Sequence, residues 1–65
     1  MTPYHEALLA MFVHFRREAK RGNPIQQFWA EYYWRKANCL LIAEGLTPTW
    51  SRKEQKWILT ITKMA

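Results

Sequence analysis

The sequence predicts a small α+β domain, an N-terminal antiparallel helical hairpin followed by a C-terminal β-hairpin. Three observations carry the prediction. Two segments show helical spacing of apolar residues, each behind a side-chain cap and a proline, Thr2-Pro3 and Asn23-Pro24. Only Gly22 and Asn23 separate the segments, a link short enough to return the chain antiparallel to itself. The tail, Trp57-Ile58-Leu59-Thr60-Ile61-Thr62, is rich in β-branched and aromatic residues, which favour a strand.

The first helix is expected over about residues 3–21. The Thr2 hydroxyl can cap it, and Pro3 suits the first helical position, where no N–H is needed. Tyr4, Leu8, Met11, Phe12, Phe15 and Ala19 follow as one apolar stripe. Gly22 is placed to end the helix as a left-handed cap. The second helix is expected over about residues 24–44, roughly 30 Å long. Asn23 caps it, and Gln26 completes the capping-box spacing. Nothing interrupts the pattern before Gly45, after which Leu46 can fold back on Leu41.

The β-hairpin is expected over about residues 47–63. Pro48-Thr49-Trp50-Ser51 pairs with the tail through a polar turn at 52–55, and Trp57, Leu59 and Ile61 share the buried face. The alternative is an all-α three-helix bundle. Ser51-Arg52-Lys53-Glu54 has capping-box spacing, and Trp57, Ile58, Ile61 and Met64 recur at helical intervals. The turn also lacks the Gly or Asn that tight hairpins favour. Either way, residues 1–65 make a single domain.

Composition narrows the function. The chain has 65 residues, with four Trp, three Tyr and three Phe. Each such ring can bury roughly 150–250 Å². A domain that hides only about 60% of its unfolded surface has little room for all of them. Some rings are therefore expected at an interface. The net charge is +5, from ten Lys and Arg against five Glu. That balance suits an acidic protein surface, nucleic acid or an anionic lipid surface, and it also serves solubility. The lone Cys39 cannot form an intrachain disulfide and fits a reduced, cytoplasmic setting, with a core position as its expected place. The longest apolar run, Cys39-Leu40-Leu41-Ile42-Ala43, is far shorter than a membrane span, so no membrane partner is expected.

The segment Phe28-Trp29-Ala30-Glu31-Tyr32-Tyr33-Trp34 packs five aromatics into seven residues. On a helical wheel they divide between two sides. Ile25, Phe28, Trp29, Tyr32, Tyr33, Cys39, Leu40 and Ala43 share one arc, expected to be the core face against the first helix. Ala30, Trp34, Ala37 and Leu41 form a second stripe. If the hairpin covers this stripe the domain closes as a monomer; if not, Trp34 and Leu41 are the centre of an interface. Lys36 falls inside the aromatic arc, where a charge is expected to snorkel to the rim or to meet an acidic partner group.

Two basic clusters stand apart from this. Arg16, Arg17, Lys20 and Arg21 crowd the end of the first helix, where they complement its dipole. Arg52, Lys53 and Lys56 surround the hairpin tip, flanked by Trp50 and Trp57. Basic residues interleaved with aromatics suit phosphate contacts. His5, His14 and Cys39 match no metal-ligand spacing, and neither a metal nor another cofactor is expected. The glutamates form no acid/base pair, and with Gly22 and Gly45 as the only glycines there is no phosphate loop. Enzymatic activity is not expected.

The leading expectation is a non-enzymatic interaction protein that docks on a larger host macromolecule, a protein before all others. Tyr33, Trp34, Lys36 and Leu41 are its expected docking residues, and steric blocking is its expected action. In general style the short basic chain resembles small accessory proteins of phages and mobile elements. The alternatives are a small nucleic-acid-binding regulator using the two basic clusters, and a structural protein that self-associates as a homodimer.

Overall fold

The computed structural model describes residues 2–62 and has the predicted α+β order. Helix α1 spans Pro3–Arg21 and helix α2 spans Pro24–Ala43. Strands β1 (Leu46–Ser51) and β2 (Lys56–Ile61) follow and pair as an antiparallel hairpin. The three-helix alternative is not adopted. Of the residues invoked above, Lys63 and Met64 lie outside the described residues.

The helix starts follow local chemistry. The Thr2 hydroxyl oxygen accepts from the His5 N–H at 3.2 Å, with Pro3 at the first helical position. At α2 the capping box is complete: Gln26 N–H donates to Asn23 Oδ1 at 2.9 Å, and Asn23 N–H donates to Gln26 Oε1 at 3.2 Å. The two helix stops differ from each other. Gly45 takes a left-handed φ of 76°, and its N–H bonds the Ile42 carbonyl at 2.9 Å. Gly22 does not use the left-handed cap expected of it; its φ is −74° and its backbone is extended. Glycine is needed there for another reason. A Cβ at Gly22 would stand 2.8 Å from Gln26 Cβ and 3.1 Å from the Glu18 carbonyl oxygen, so the tight link between the helices has no room for one.

The hairpin tip turns without a glycine. Gln55 carries the positive φ, 57°. Ser51 Oγ accepts from the Glu54 N–H at 3.2 Å, and Gln55 Nε2 donates to the Arg52 carbonyl at 2.9 Å. The Ser51-to-Glu54 spacing that resembles a helix start is thus spent on closing the turn. The register pairs Leu46 with Ile61, Pro48 with Leu59 and Trp50 with Trp57. Alternation puts these six on one face. Leu46 and Leu59 are buried and Trp57 is half-buried. Ile61, expected inside, is instead 80% exposed, at a rim it shares with His5, Glu44 and Leu46.

The core corrects the expected face of α2. The stripe of Ala30, Trp34, Ala37 and Leu41 is the inner one: Ala30, Ala37 and Leu41 are buried and Trp34 is half-buried. The hairpin covers it from one side, since Leu41, Leu46 and Leu59 join Leu8 in one core cluster. Phe12 contacts Trp34 and Trp57 edge-on, with ring centroids 5.7 and 5.1 Å apart. The arc expected to be core faces solvent. The reason lies in size and spacing. Residues 30, 34, 37 and 41 follow the narrow four-three-four seam of packed helices, and the small Ala30 and Ala37 let the neighbouring elements approach closely. A face of adjacent large rings would hold them apart. On α1 the inner positions are Leu8 and Phe12, while Tyr4 and Met11 of the expected stripe are exposed. At the open end, His5 Nε2 and Glu44 Oε1 pair at 2.7 Å and tie the start of α1 to the end of α2.

Among the described residues, Leu41 is the one large side chain that is fully buried. Leu41→Ala is expected to cost about 2–5 kcal/mol, much of the stability available to so small a domain. Urea unfolding should then show the midpoint falling sharply with the slope retained. Gly22→Ala is expected to cost roughly 1–3 kcal/mol through overpacking against Gln26, measured in the same way.

Candidate interaction surface

The outer face of α2 presents the rings that the core excludes. Ile25 is 73% exposed, Phe28 68%, Trp29 51%, Tyr32 52%, Tyr33 38% and Leu40 40%. From Ile25 to Ala43 this face runs about 27 Å along the helix. Taking about 200 Å² per large side chain, the exposed apolar area is on the order of 600 Å². That is the upper end of the roughly 300–600 Å² found for the largest patch on an ordinary monomer.

The rings hold one another in place. Trp29 meets Phe28 at 5.5 Å and Tyr32 at 6.4 Å, both edge-on, and stacks on Tyr33 at 6.3 Å. Tyr33 in turn touches Phe15 of α1 at 5.1 Å. The ladder is therefore braced on the helix beneath it. Large rings ordered in advance lose little freedom when a partner arrives.

Lys36 stands in the middle of this face. Its Nζ lies 5.9 Å from the Tyr32 ring centroid, within the range of a cation–π contact. Arg35 at the rim is paired with Glu31 at 2.8 Å, one helical turn away. Among the described residues the ion pairs are His5–Glu44 and Glu31–Arg35, so the Lys36 charge is free to meet a partner. A shallow depression of about 610 Å³ opens beside it, lined by Phe28, Glu31, Tyr32, Arg35, Lys36 and Cys39. Cys39, expected in the core, is exposed here.

The four residues expected to dock are thus divided. Tyr33 and Lys36 lie on the outer face. Leu41 is fully buried and Trp34 is half-buried against Phe12 and the Arg16 guanidinium, so neither is available on the surface as Tyr33 and Lys36 are. Phe28, Trp29, Tyr32, Ile25 and Leu40, assigned to the core from the sequence, are the exposed ones. The signal that identifies them is Lys36 itself, a charge set among them.

Of the hairpin-tip cluster, Lys56 shares the surroundings of Trp57 with the cluster at the end of α1. Arg16 is half-buried, with its guanidinium carbon 5.3 Å from the Trp57 ring centroid, 5.4 Å from that of Trp34 and 6.0 Å from that of Phe12. Arg17, Lys20, Arg21 and Lys56 are exposed around it, and Arg52 and Lys53 are exposed in the turn. His14 meets Phe15 edge-on at 5.0 Å, whereas His5 is paired with Glu44. Among the described residues, no group of three or more metal-ligating side chains is close enough to hold an ion, and no helix is long and apolar enough to cross a membrane. Comparison with family models, with curated proteins and with solved structures finds no match to this chain.

The two sides of α2 should respond differently to truncation. Phe28→Ser and Tyr32→Ser are each expected to change stability by no more than about 0.5 kcal/mol. Trp34→Ala is expected to cost at least about 2 kcal/mol. Thermal melts followed by circular dichroism give the comparison directly.

Proposed function

We propose that this chain is a non-enzymatic interaction protein that docks on a larger protein through the outer face of α2 and acts sterically, by occupying a site or blocking an assembly. The observation that carries this reading is the braced, exposed row of Phe28, Trp29, Tyr32 and Tyr33 with Lys36 at its centre. Rigid aromatic anchors around a single charge have the composition of a binding hot spot. The apolar area approaches the roughly 800 Å² per partner of a standard interface. The partner surface that fits is an apolar groove with a carboxylate placed to meet Lys36. A second copy fits less well, because two chains of charge +5 repel each other. The exposed Cys39 thiol suits a reduced, cytoplasmic setting.

The outer face can be altered without touching the core, which makes the reading testable. The double variant Phe28→Ser/Tyr32→Ser is expected to keep a cooperative melt and to lose the protein captured by the wild type from nuclease-treated lysate. Lys36→Glu is expected to weaken the same capture at least about tenfold, by placing like charges together. Capture that survives both variants would overturn the assignment. So would sedimentation showing a stable dimer that the double variant dissolves, which would make the face a self-association surface.

A further inference from the structure

The sharpest charge feature of the molecule lies on a different side from the outer face of α2. β2 packs along α1 so that Leu59 joins Leu8 and Trp57 meets Phe12. Moving from Leu59 to Trp57 therefore advances toward the C-terminal end of α1, and the hairpin tip continues in that direction. The fold in this way brings Lys56, at the strand end of the hairpin-tip cluster, to a depression that Arg17 of the α1 cluster also lines. The seam between α1 and β2 is concave. Two adjoining depressions, of about 250 and 500 Å³, share Val13, Arg17 and Trp57. The first is also lined by Arg16, Lys20 and Arg21, and the second by Lys56 and, at its far end, Glu6.

We infer that this seam is a binding site for the phosphodiester backbone of nucleic acid. Arg16–Lys20 and Arg17–Arg21 are each one helical turn apart, which spaces the cations about 6 Å along the helix edge. A ladder of that kind matches a repeating anion better than a single one. None of these cations takes part in the ion pairs found among the described residues. Arg16 is already ordered by three aromatic rings, so its charge is in place before a ligand arrives. The shape of the seam separates this ligand from an anionic lipid surface. Lipid binding needs apolar side chains that protrude among the basic ones. Here Leu9, Val13 and Trp57 of the lining are half-buried and the exposed Ala10 is small, which leaves Trp50, against Trp57, as a single protruding ring and not a row of them. With backbone contacts alone, the site carries no means of reading sequence.

The test uses the full chain and two fluorescein-labelled probes, an oligothymidylate and a mixed-sequence duplex of equal length, read by anisotropy. They distinguish single-stranded from double-stranded backbone. Binding of at least one probe is expected at low salt with protein up to about 100 µM, the weak end of non-specific affinity. If about four phosphates are neutralised, raising salt from about 50 to 200 mM should weaken duplex binding roughly 100-fold, or single-strand binding roughly 50-fold. The variant Arg17→Glu/Arg21→Glu, both surface positions, should lose at least about tenfold and flatten the salt slope. The variant Arg35→Glu/Lys36→Glu removes the same net charge from the outer face of α2 and should lose far less. A circular dichroism melt confirms that both variants fold. The inference is overturned if neither probe binds at low salt, if binding ignores salt, or if the two variants lose affinity equally. It is also overturned if vesicles containing phosphatidylserine capture the protein while both probes do not.

Discussion

α2 has one row of side chains that can meet α1 and the β-hairpin at the same time, Ala30, Trp34, Ala37 and Leu41. The rest of the fold depends on that shared seam. Its alanines bring the neighbouring elements close, and Leu41 reaches the point where Leu8, Leu46 and Leu59 converge. Trp34 fills the remaining space against Phe12. A two-stranded hairpin has little stability of its own in water and needs a helix or a further strand behind it. The seam supplies that support, and the hairpin in return excludes water from the stripe. The dependence runs both ways, which makes Leu41 the most sensitive position.

The seam also dictates what is left outside. A helix cannot bury opposite sides in a chain with so few elements. Once the narrow alanine stripe is chosen as the inside, Phe28, Trp29 and Tyr32 must face solvent. They are not loose, because Tyr33 and Phe15 connect them to the helical pair. The same packing choice positions the basic groove. Trp57 is drawn against Phe12, and with it Lys56 comes beside Arg17. Two surfaces of different chemistry thus follow from one packing decision, an aromatic face on α2 and a cationic seam between α1 and β2.

Much of the fold was legible because it rests on local chemistry. Thr2, Pro3, Asn23, Pro24 and Gln26 act within a few residues of themselves, and each cap forms as their spacing implies. Gly45 and Leu46 likewise end α2 as expected. Other features depend on distant contacts. Gly22 ends α1 where expected but for a different reason, because the clash that a Cβ there would make with Gln26 Cβ depends on how the second helix leaves the link. Ser51 and Glu54 suited both a helix start and a turn, and strand pairing across Trp50 and Trp57 decided between them. Of the four candidate docking residues, Tyr33 and Lys36 face outward, whereas Trp34 and Leu41 face inward.

By itself the sequence determined the elements, their order, their caps and the excess of aromatic side chains over what a small core can hold. These are properties of near neighbours and of composition, and no distant contact changes them. Which side of α2 became the inside was decided only by tertiary structure. The aromatic arc has more apolar area, but packing rewards close approach as well as area, and the alanine stripe permits it. Lys36 fits that outcome, since a lysine inside an apolar arc would be buried only at great cost. The meeting of Arg16, Arg17, Lys20 and Arg21 with Lys56 was likewise invisible along the chain, because strand direction and register alone bring residues so far apart in sequence to one groove.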